Sequence, residues 1–133
     1  MSFSAGSCYR NTNSPPPPQH YWFVLSDPTI NPDCVFVANI TSWNEFTGDG
    51  ACRLRIGCHP CITKDCFVNY EDARSFAVSD LAVWLQQGLI TLHEHASEEL
   101  LQFMQHGAIE SEFCKNKFKK LLAAQGLPRI ESN

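Results

Sequence analysis

Two cysteines and a histidine lie close together in the run Cys58, His59, Pro60 and Cys61, and Cys66 follows shortly after. Thiolates and imidazoles are the ligands that zinc prefers, and a two-residue gap lets two cysteines reach one ion. A structural zinc site commonly uses two such pairs, and the sequence contains no second one. We therefore assign no metal ligand and no cofactor. Whether Cys58, Cys61 and Cys66 bind a metal stays open.

The same run could supply nucleophilic or redox chemistry. A cysteine nucleophile needs a base within hydrogen-bond reach, and adjacent residues such as Cys58 and His59 rarely meet productively. A thioredoxin-type pair opens a helix after a strand, whereas Pro60 is typical of a loop. The sequence also has no glycine-rich phosphate loop, no metalloprotease helix motif and no paired catalytic carboxylates. These classes of enzyme are therefore disfavoured.

The elements that must position this loop are short and strand-like between Tyr21 and Val78. Their apolar residues are β-branched or aromatic, and turn residues separate them. Several short strands in so few residues favour a small β-barrel, because closure leaves no exposed edge. The predicted strands cover residues 21–25, 35–41, 52–56, 67–70 and 75–78.

After Val78 the apolar period becomes helical. Three serines are suitable N-caps, and a glycine can close each helix in the left-handed conformation. The predicted helices begin at Ser79, Ser97 and Ser111 and end near Gly88, Gly107 and Gly126. The expected fold class is therefore α+β, with a small β-barrel at 20–78 and a helical C-terminal extension at 79–126, within one domain spanning 20–133.

Residues 1–19 are predicted to form a flexible, Pro-rich tail. They are polar and contain four consecutive prolines at 15–18, which favour an extended spacer and cannot join a sheet ladder.

The net charge and the cysteine content indicate what the protein can bind and in which compartment it resides. The net charge of −4 disfavours tight, non-specific binding of nucleic acid. Seven cysteines are an odd number, which a fully paired secreted framework would not leave. The first residues lack the layout of a signal peptide, and no apolar run is long enough to cross a bilayer. We expect a reduced, cytoplasmic protein that does not enter a membrane.

Two strand segments carry a resemblance to a known family. Residues 21–28 read YWFVLSDP and residues 35–42 read VFVANITS. The pair resembles the core strands of the PemK/MazF toxin family, which read RPAVVLS and VAPITS. A stand-alone PemK-like branch also has a His-Pro-Phe-Ile loop and an aromatic-x-x-Ala-Arg step, which are similar to residues 59–62 and 70–74 here. The resemblance covers the chain from Gln19 to the first predicted helix.

The resemblance implies an SH3-like barrel and, in active members, a sequence-selective endoribonuclease that an antitoxin inhibits. Such an enzyme uses the 2′-hydroxyl of its RNA substrate as the nucleophile and needs no metal. The family has an arginine before the first barrel strand and a threonine or serine at the end of the next. Thr41 and Ser42 match the second position, whereas His20 stands at the first. The N-terminal strand of typical members is missing, and the Pro-rich tail stands in its place.

By resemblance, a set of polar and cationic residues could act on RNA. An imidazole can serve as general base or acid, but it lacks the permanent forked charge of arginine. A second arginine could supply that charge, and two more point outward from their strand and could bind RNA. The alternative for each is structural, since polar residues at strand ends commonly bond the local backbone. The candidate catalytic residues are His20, Thr41, Ser42, His59 and Arg74, and the candidate RNA-binding residues are Arg53 and Arg55.

Two functions remain open. The first is an RNA-cleaving protein, for which the resemblance implies an antitoxin partner and a homodimer. The second is a non-catalytic module for binding protein or nucleic acid, which kept the barrel and lost the catalytic arginine. The first function requires His20, Thr41, His59 and Arg74 to converge on one cleft.

Overall fold

The two apolar segments with the clearest strand pattern lie at the centre of one antiparallel sheet. The computed structural model describes residues 3–12 and 20–129. In it six strands are arranged in the order β4-β5-β3-β2-β1-β6, and every neighbouring pair is antiparallel. The strands are β1 (Cys8–Asn11), β2 (Tyr21–Val24), β3 (Val35–Ser42), β4 (Arg53–Leu54), β5 (Cys66–Phe76) and β6 (Ile90–His93). The helices are α1 (Val78–Gln86), α2 (Glu98–Glu110) and α3 (Asn116–Ala124).

The α+β class is confirmed, but the described residues do not form a closed barrel. Strands β4 and β6 lie at opposite edges of the sheet, and each has one neighbour. Strand β4 is only two residues long. An edge strand this short limits unwanted pairing with other strands even in an open sheet. The sheet therefore does not need to close into a barrel to protect its edges.

The N-terminal segment is part of the sheet, so the prediction of a tail is wrong for residues 3–12. Strand β1 pairs with both β2 and β6. Backbone hydrogen bonds of Gly6 to Val24 and Ala96 also hold the segment in place. Gly6 has a φ of +98° and lies against the His95 ring, where a larger residue would not fit. The four prolines fall outside the described residues.

The predicted division into strands at 20–78 and helices at 79–126 is also wrong in one respect. Strand β6 lies between α1 and α2 and extends the sheet beyond β1. Four alternating residues, Ile90–His93, gave too short a pattern to distinguish from a loop. Among the described residues, no helix has the length and apolar content needed to cross a membrane.

The strands present alternate side chains to two separate cores, because successive residues of a strand point to opposite faces. Phe23 and Phe36 face the core beneath α2 and α3, while Trp22 and Val37 face the core beneath α1. Helices therefore cover both faces of the sheet. The strand ends between them, where His20 and Thr41 lie, stay open to solvent on one side.

Candidate functional site

The start of β2 and the end of β3 form one wall of a cleft of about 230 Å³. Trp22 pairs with Asn39, so His20, two residues before Trp22, lies beside Thr41, two residues after Asn39. Ser42 pairs with Cys66 at the start of β5, which brings the preceding loop to the opposite wall. The cleft is lined by His20, Tyr21, Ile40, Thr41, Ser42, Cys61, Ile62, Thr63, Lys64 and Cys66.

The hydrogen bonding of His20 leaves one ring nitrogen available for proton transfer. Its Nδ1 lies 3.2 Å from the carbonyl oxygen of Ile40. A carbonyl oxygen can only accept, so Nδ1 carries the proton and Nε2 of the neutral ring carries the lone pair. Within the described residues Nε2 has no hydrogen-bond partner. A half-buried imidazole of this kind can accept a proton from a bound hydroxyl.

The other polar groups of the cleft are hydroxyls and one cation. The Thr41 hydroxyl donates to Asn39 Oδ1 at 3.3 Å. Ser42 and Lys64 are exposed. Lys64 is a residue that the sequence analysis missed, although its position two residues before β5 places it near Ser42. Its ammonium supplies, in this cleft, a positive charge for a phosphate.

His59 does not line the cleft and has a structural role instead. It is buried, its Nε2 donates to the carbonyl oxygen of Glu94 at 2.6 Å, and its Nδ1 accepts from the backbone N–H of Cys61 at 3.0 Å. Both ring nitrogens are therefore occupied, and the ring also packs edge-on against Phe23. His59 fixes the loop whose next residues, from Cys61 to Lys64, form one wall of the cleft.

The cysteines of this loop are poorly suited to thiolate chemistry. Desolvation raises the pKa of both Cys58 and Cys61, so the reactive thiolate is scarce at neutral pH. Among the residues that the structure describes, no group of three or more His, Cys, Asp or Glu side chains could hold a metal ion.

Arg74 lies on the α1 face, at a different cavity. Its guanidinium is 3.2 Å from Asp72 Oδ1 and lies over the Trp22 ring, 5.9 Å from the ring centroid. The other Asp72 oxygen accepts from the Asn39 amide at 2.8 Å. Because Asn39 also accepts from Thr41, a chain of polar contacts joins Arg74 to the cleft. The arginine itself does not line the cleft.

Arg53 and Arg55 lie at a third place, a groove of about 480 Å³ beside α2. Arg53 pairs with Asp65 at 3.4 Å and lies 4.3 Å from the centroid of the Trp43 ring. The Glu99 carboxylate lines the same groove and weakens its attraction for a phosphate. The seven candidate residues thus do not form one site: three line the cleft, one is buried in the loop beside it, and three lie at other cavities.

A comparison of the sequence with protein-family models and with curated proteins finds no match. The geometry of the described residues is therefore the ground on which a function is proposed.

Proposed function

We propose that this chain is a PemK/MazF-like, metal-independent endoribonuclease of a toxin–antitoxin system, with the cleft of His20, Thr41 and Ser42 as its active site. The observation that carries the proposal is that these residues, separated by about twenty positions in sequence, line one cleft together with Lys64. The proposal also includes a cytoplasmic location, inhibition by an antitoxin, a homodimeric state and a relationship of the sheet to the SH3-like barrel.

The N-terminal strand lends further support. Its expected absence was one of two departures from the family pattern. A strand, β1, is present before β2, although its residues, Cys8–Asn11, do not have the sequence of the family's strand. The replacement of the arginine by His20 remains. Lys64 compensates for the missing charge, since an ammonium can neutralise a phosphate although it lacks the forked geometry of a guanidinium.

The cleft residues can divide the reaction between them. Nε2 of His20 takes the proton of the RNA 2′-hydroxyl, whose oxygen then attacks the adjacent phosphorus. The Lys64 ammonium and the Ser42 hydroxyl stabilise the charge that develops on the phosphate oxygens. The Thr41 hydroxyl joins them by turning its one proton from Asn39 to the phosphate. The bond to the 5′-oxygen breaks, and that oxygen leaves with a proton from water. The products are a 2′,3′-cyclic phosphate and a 5′-hydroxyl end.

Cleavage of mixed RNA in the presence of EDTA, followed by mapping of 5′-hydroxyl ends, tests this proposal. We expect His20→Ala to lower the rate by about 100-fold or more, since a positioned base contributes roughly that factor. Thr41→Val should lower it less, and Thr41→Ser should retain activity because the hydroxyl is kept. The matched control is His106→Ala, because His106 is exposed on α2. Intact RNA with the unmodified protein, or equal rates in His20→Ala and His106→Ala, would contradict the proposal.

A second candidate function is a non-catalytic interaction module. Three arginines, Arg53, Arg55 and Arg74, lie outside the cleft, so the described residues include no strongly basic active site. This arrangement favours the interaction module. The lysines on and beside α3 would be the docking surface for an acidic partner. This function predicts no cleavage, a defined partner in pull-downs and loss of that partner when the residues after Ser111 are removed. Growth arrest on expression, relieved by His20→Ala, separates the two functions.

A further inference from the structure

A cavity of about 300 Å³ on the α1 face has aromatic rings at four of its eight lining positions. Tyr9 and Trp22 form its floor from the sheet, and Trp84 reaches it from α1. Phe76 supports Trp84 through an edge-to-face contact with ring centroids 5.0 Å apart. We call this cavity the aromatic pocket. Its polar lining residues include Asn11 and Arg74.

The aromatic pocket has the composition of a small-molecule site, with mostly apolar walls and a few polar groups. Tyr9 is buried, and its hydroxyl has no hydrogen-bond partner within the described residues. Burial raises the pKa of Tyr9, so this hydroxyl keeps its proton and can donate it to a ligand. The Asn11 amide adds both a donor and an acceptor. These groups suit the edge of a heterocyclic base.

Arg74 gives the rim of the aromatic pocket a positive charge that is held in position. Its side chain is 57% exposed, and Asp72 occupies one side of the guanidinium. Asp72 is fixed in turn by the buried amide of Asn39. The remaining guanidinium donors face solvent and can bind a phosphate in a forked geometry.

We infer that the aromatic pocket binds one nucleotide, with the base against Trp22 and Trp84 and the phosphate at Arg74. Aromatic walls favour a planar base over an aliphatic ligand, because every base has a π-face that stacks on such rings. The nucleotide could be free or part of an RNA strand. The inference that the pocket binds a nucleotide stands independently of the proposed function. The inference that this nucleotide belongs to an RNA strand rests on the proposed function, because the polar contacts from Thr41 to Arg74 join the aromatic pocket to the cleft.

Tryptophan fluorescence can report binding at this place. Trp43 lies elsewhere, beside Phe67 and Arg53, so a Trp43→Phe background leaves only Trp22 and Trp84 as reporters. The titrants are AMP, UMP, ribose 5-phosphate and inorganic phosphate, with calorimetry as a second measurement. We expect saturable quenching by the nucleotides and binding of ribose 5-phosphate that is weaker by about tenfold or more, because it lacks the stacking base.

Two variants test the assigned contacts. Trp84→Leu and Arg74→Gln should each weaken nucleotide binding by about tenfold, the first through lost stacking and the second through lost charge. Arg53→Gln is the matched control, since Arg53 also pairs with an aspartate and lies over a tryptophan but outside the aromatic pocket. No saturable binding, or equal affinity in all three variants, would overturn the inference.

The source of the nucleotide is decided with a short oligouridylate and the His20→Ala chain, which prevents cleavage. An oligonucleotide that binds about tenfold tighter than UMP supports a nucleotide within a strand, and equal affinity supports a free one. The outcomes for the two sites are separable. Nucleotide binding without RNA cleavage would refute only the proposed function, and cleavage without binding in the aromatic pocket would refute only this inference.

Discussion

The two faces of the sheet are covered to very different extents. Among the described residues, the core cluster beneath α2 and α3 contains 21 buried residues, whereas the cluster beneath α1 contains 8. The larger face includes the stacked pair Phe36 and Phe118, whose ring centroids are 4.4 Å apart. The smaller face includes Trp84, which is only half-buried and borders a cavity.

This difference in coverage separates the face of the sheet that provides stability from the face that can bind a ligand. A dense core loses free energy when any of its side chains is truncated, so it leaves little freedom to evolve a site. A single short helix on the other face covers less of the sheet and leaves aromatic rings accessible. The α2/α3 face therefore holds the fold together, while the α1 face and the open strand ends are free to carry function.

The largest contrast is expected between two aromatic truncations, one on each face. Phe118→Ala should lower the free energy of unfolding by about 3–5 kcal/mol, because it empties a fully buried site. Trp84→Ala should cost less, about 1–2 kcal/mol, because Trp84 is half-exposed before the change. Urea denaturation of both variants measures the difference.

Exposed Phe46 provides the control, since Phe46→Ala removes the same ring as Phe118→Ala from a side chain that is 95% exposed. It should leave the free energy of unfolding almost unchanged. If Trp84→Ala proved as destabilising as Phe118→Ala, the α1 face would be as important for stability as the other.

A smaller contrast is expected between two buried tyrosines. The Tyr70 hydroxyl donates to the carbonyl oxygen of Met104 at 2.6 Å on the α2 face. Tyr70→Phe leaves that buried carbonyl without this donor and should cost about 1–3 kcal/mol. Tyr9→Phe removes a hydroxyl with no partner in the described residues, so stability should stay within about 0.5 kcal/mol. Thermal unfolding of the pair measures both, and equal losses would contradict the assigned hydrogen bonding.

How much of the fold the sequence predicts depends on the length and regularity of each pattern. β2 and β3 were predicted almost to the residue, because unbroken runs of apolar β-branched and aromatic residues leave few alternatives. β5 was predicted as two strands, although it runs unbroken from Cys66 to Phe76. A shift in register between Val37 and Asn39 on its partner β3 allows this length, and no local signal reveals such a shift.

Helix ends were predicted less well, because tertiary contacts override local stop signals. α2 continues past Gly107 to Glu110. A side chain at Gly107 would lie 2.5 Å from the Tyr70 hydroxyl, so this glycine permits close packing of the helix on the sheet. Ser111 was predicted to open the next helix but binds Asp49 at the end of α2.

The candidate site was predicted in part, for a similar reason. His20, Thr41 and Ser42 converge because the register of two neighbouring strands determines where they lie. Arg74 was expected to join them, but alternation along β5 places it on the α1 face. The two faces could not be assigned until the pairing of β5 with β3 was known.

Alkaline pH should destabilise the α2/α3 face, with the smallest effect of the three. Burial raises the pKa of Cys52 to about 12 and the pKa values of Cys66 and Cys114 to about 11, from an ordinary value of 9.0. The folded state therefore holds these protons more tightly than the unfolded state. Their stabilisation is complete well below the ordinary thiol pKa of 9.0, begins to fall between pH 8 and pH 9, and is lost as the pH rises through the folded pKa values, because over this interval mainly the unfolded chain ionises.

Between pH 8 and pH 9 the expected loss in the free energy of unfolding is on the order of 1 kcal/mol for these three thiols together. Urea denaturation under reducing conditions at the two pH values measures it. The double variant Cys66→Ala, Cys114→Ala should show a shallower fall, whereas Cys34→Ala should fall like the unmodified chain, since Cys34 is only half-buried and lies outside the core clusters. Stability that stayed level or rose over this interval would show that the buried thiols do not control the alkaline limit, and the contrast between the faces would then rest on packing alone.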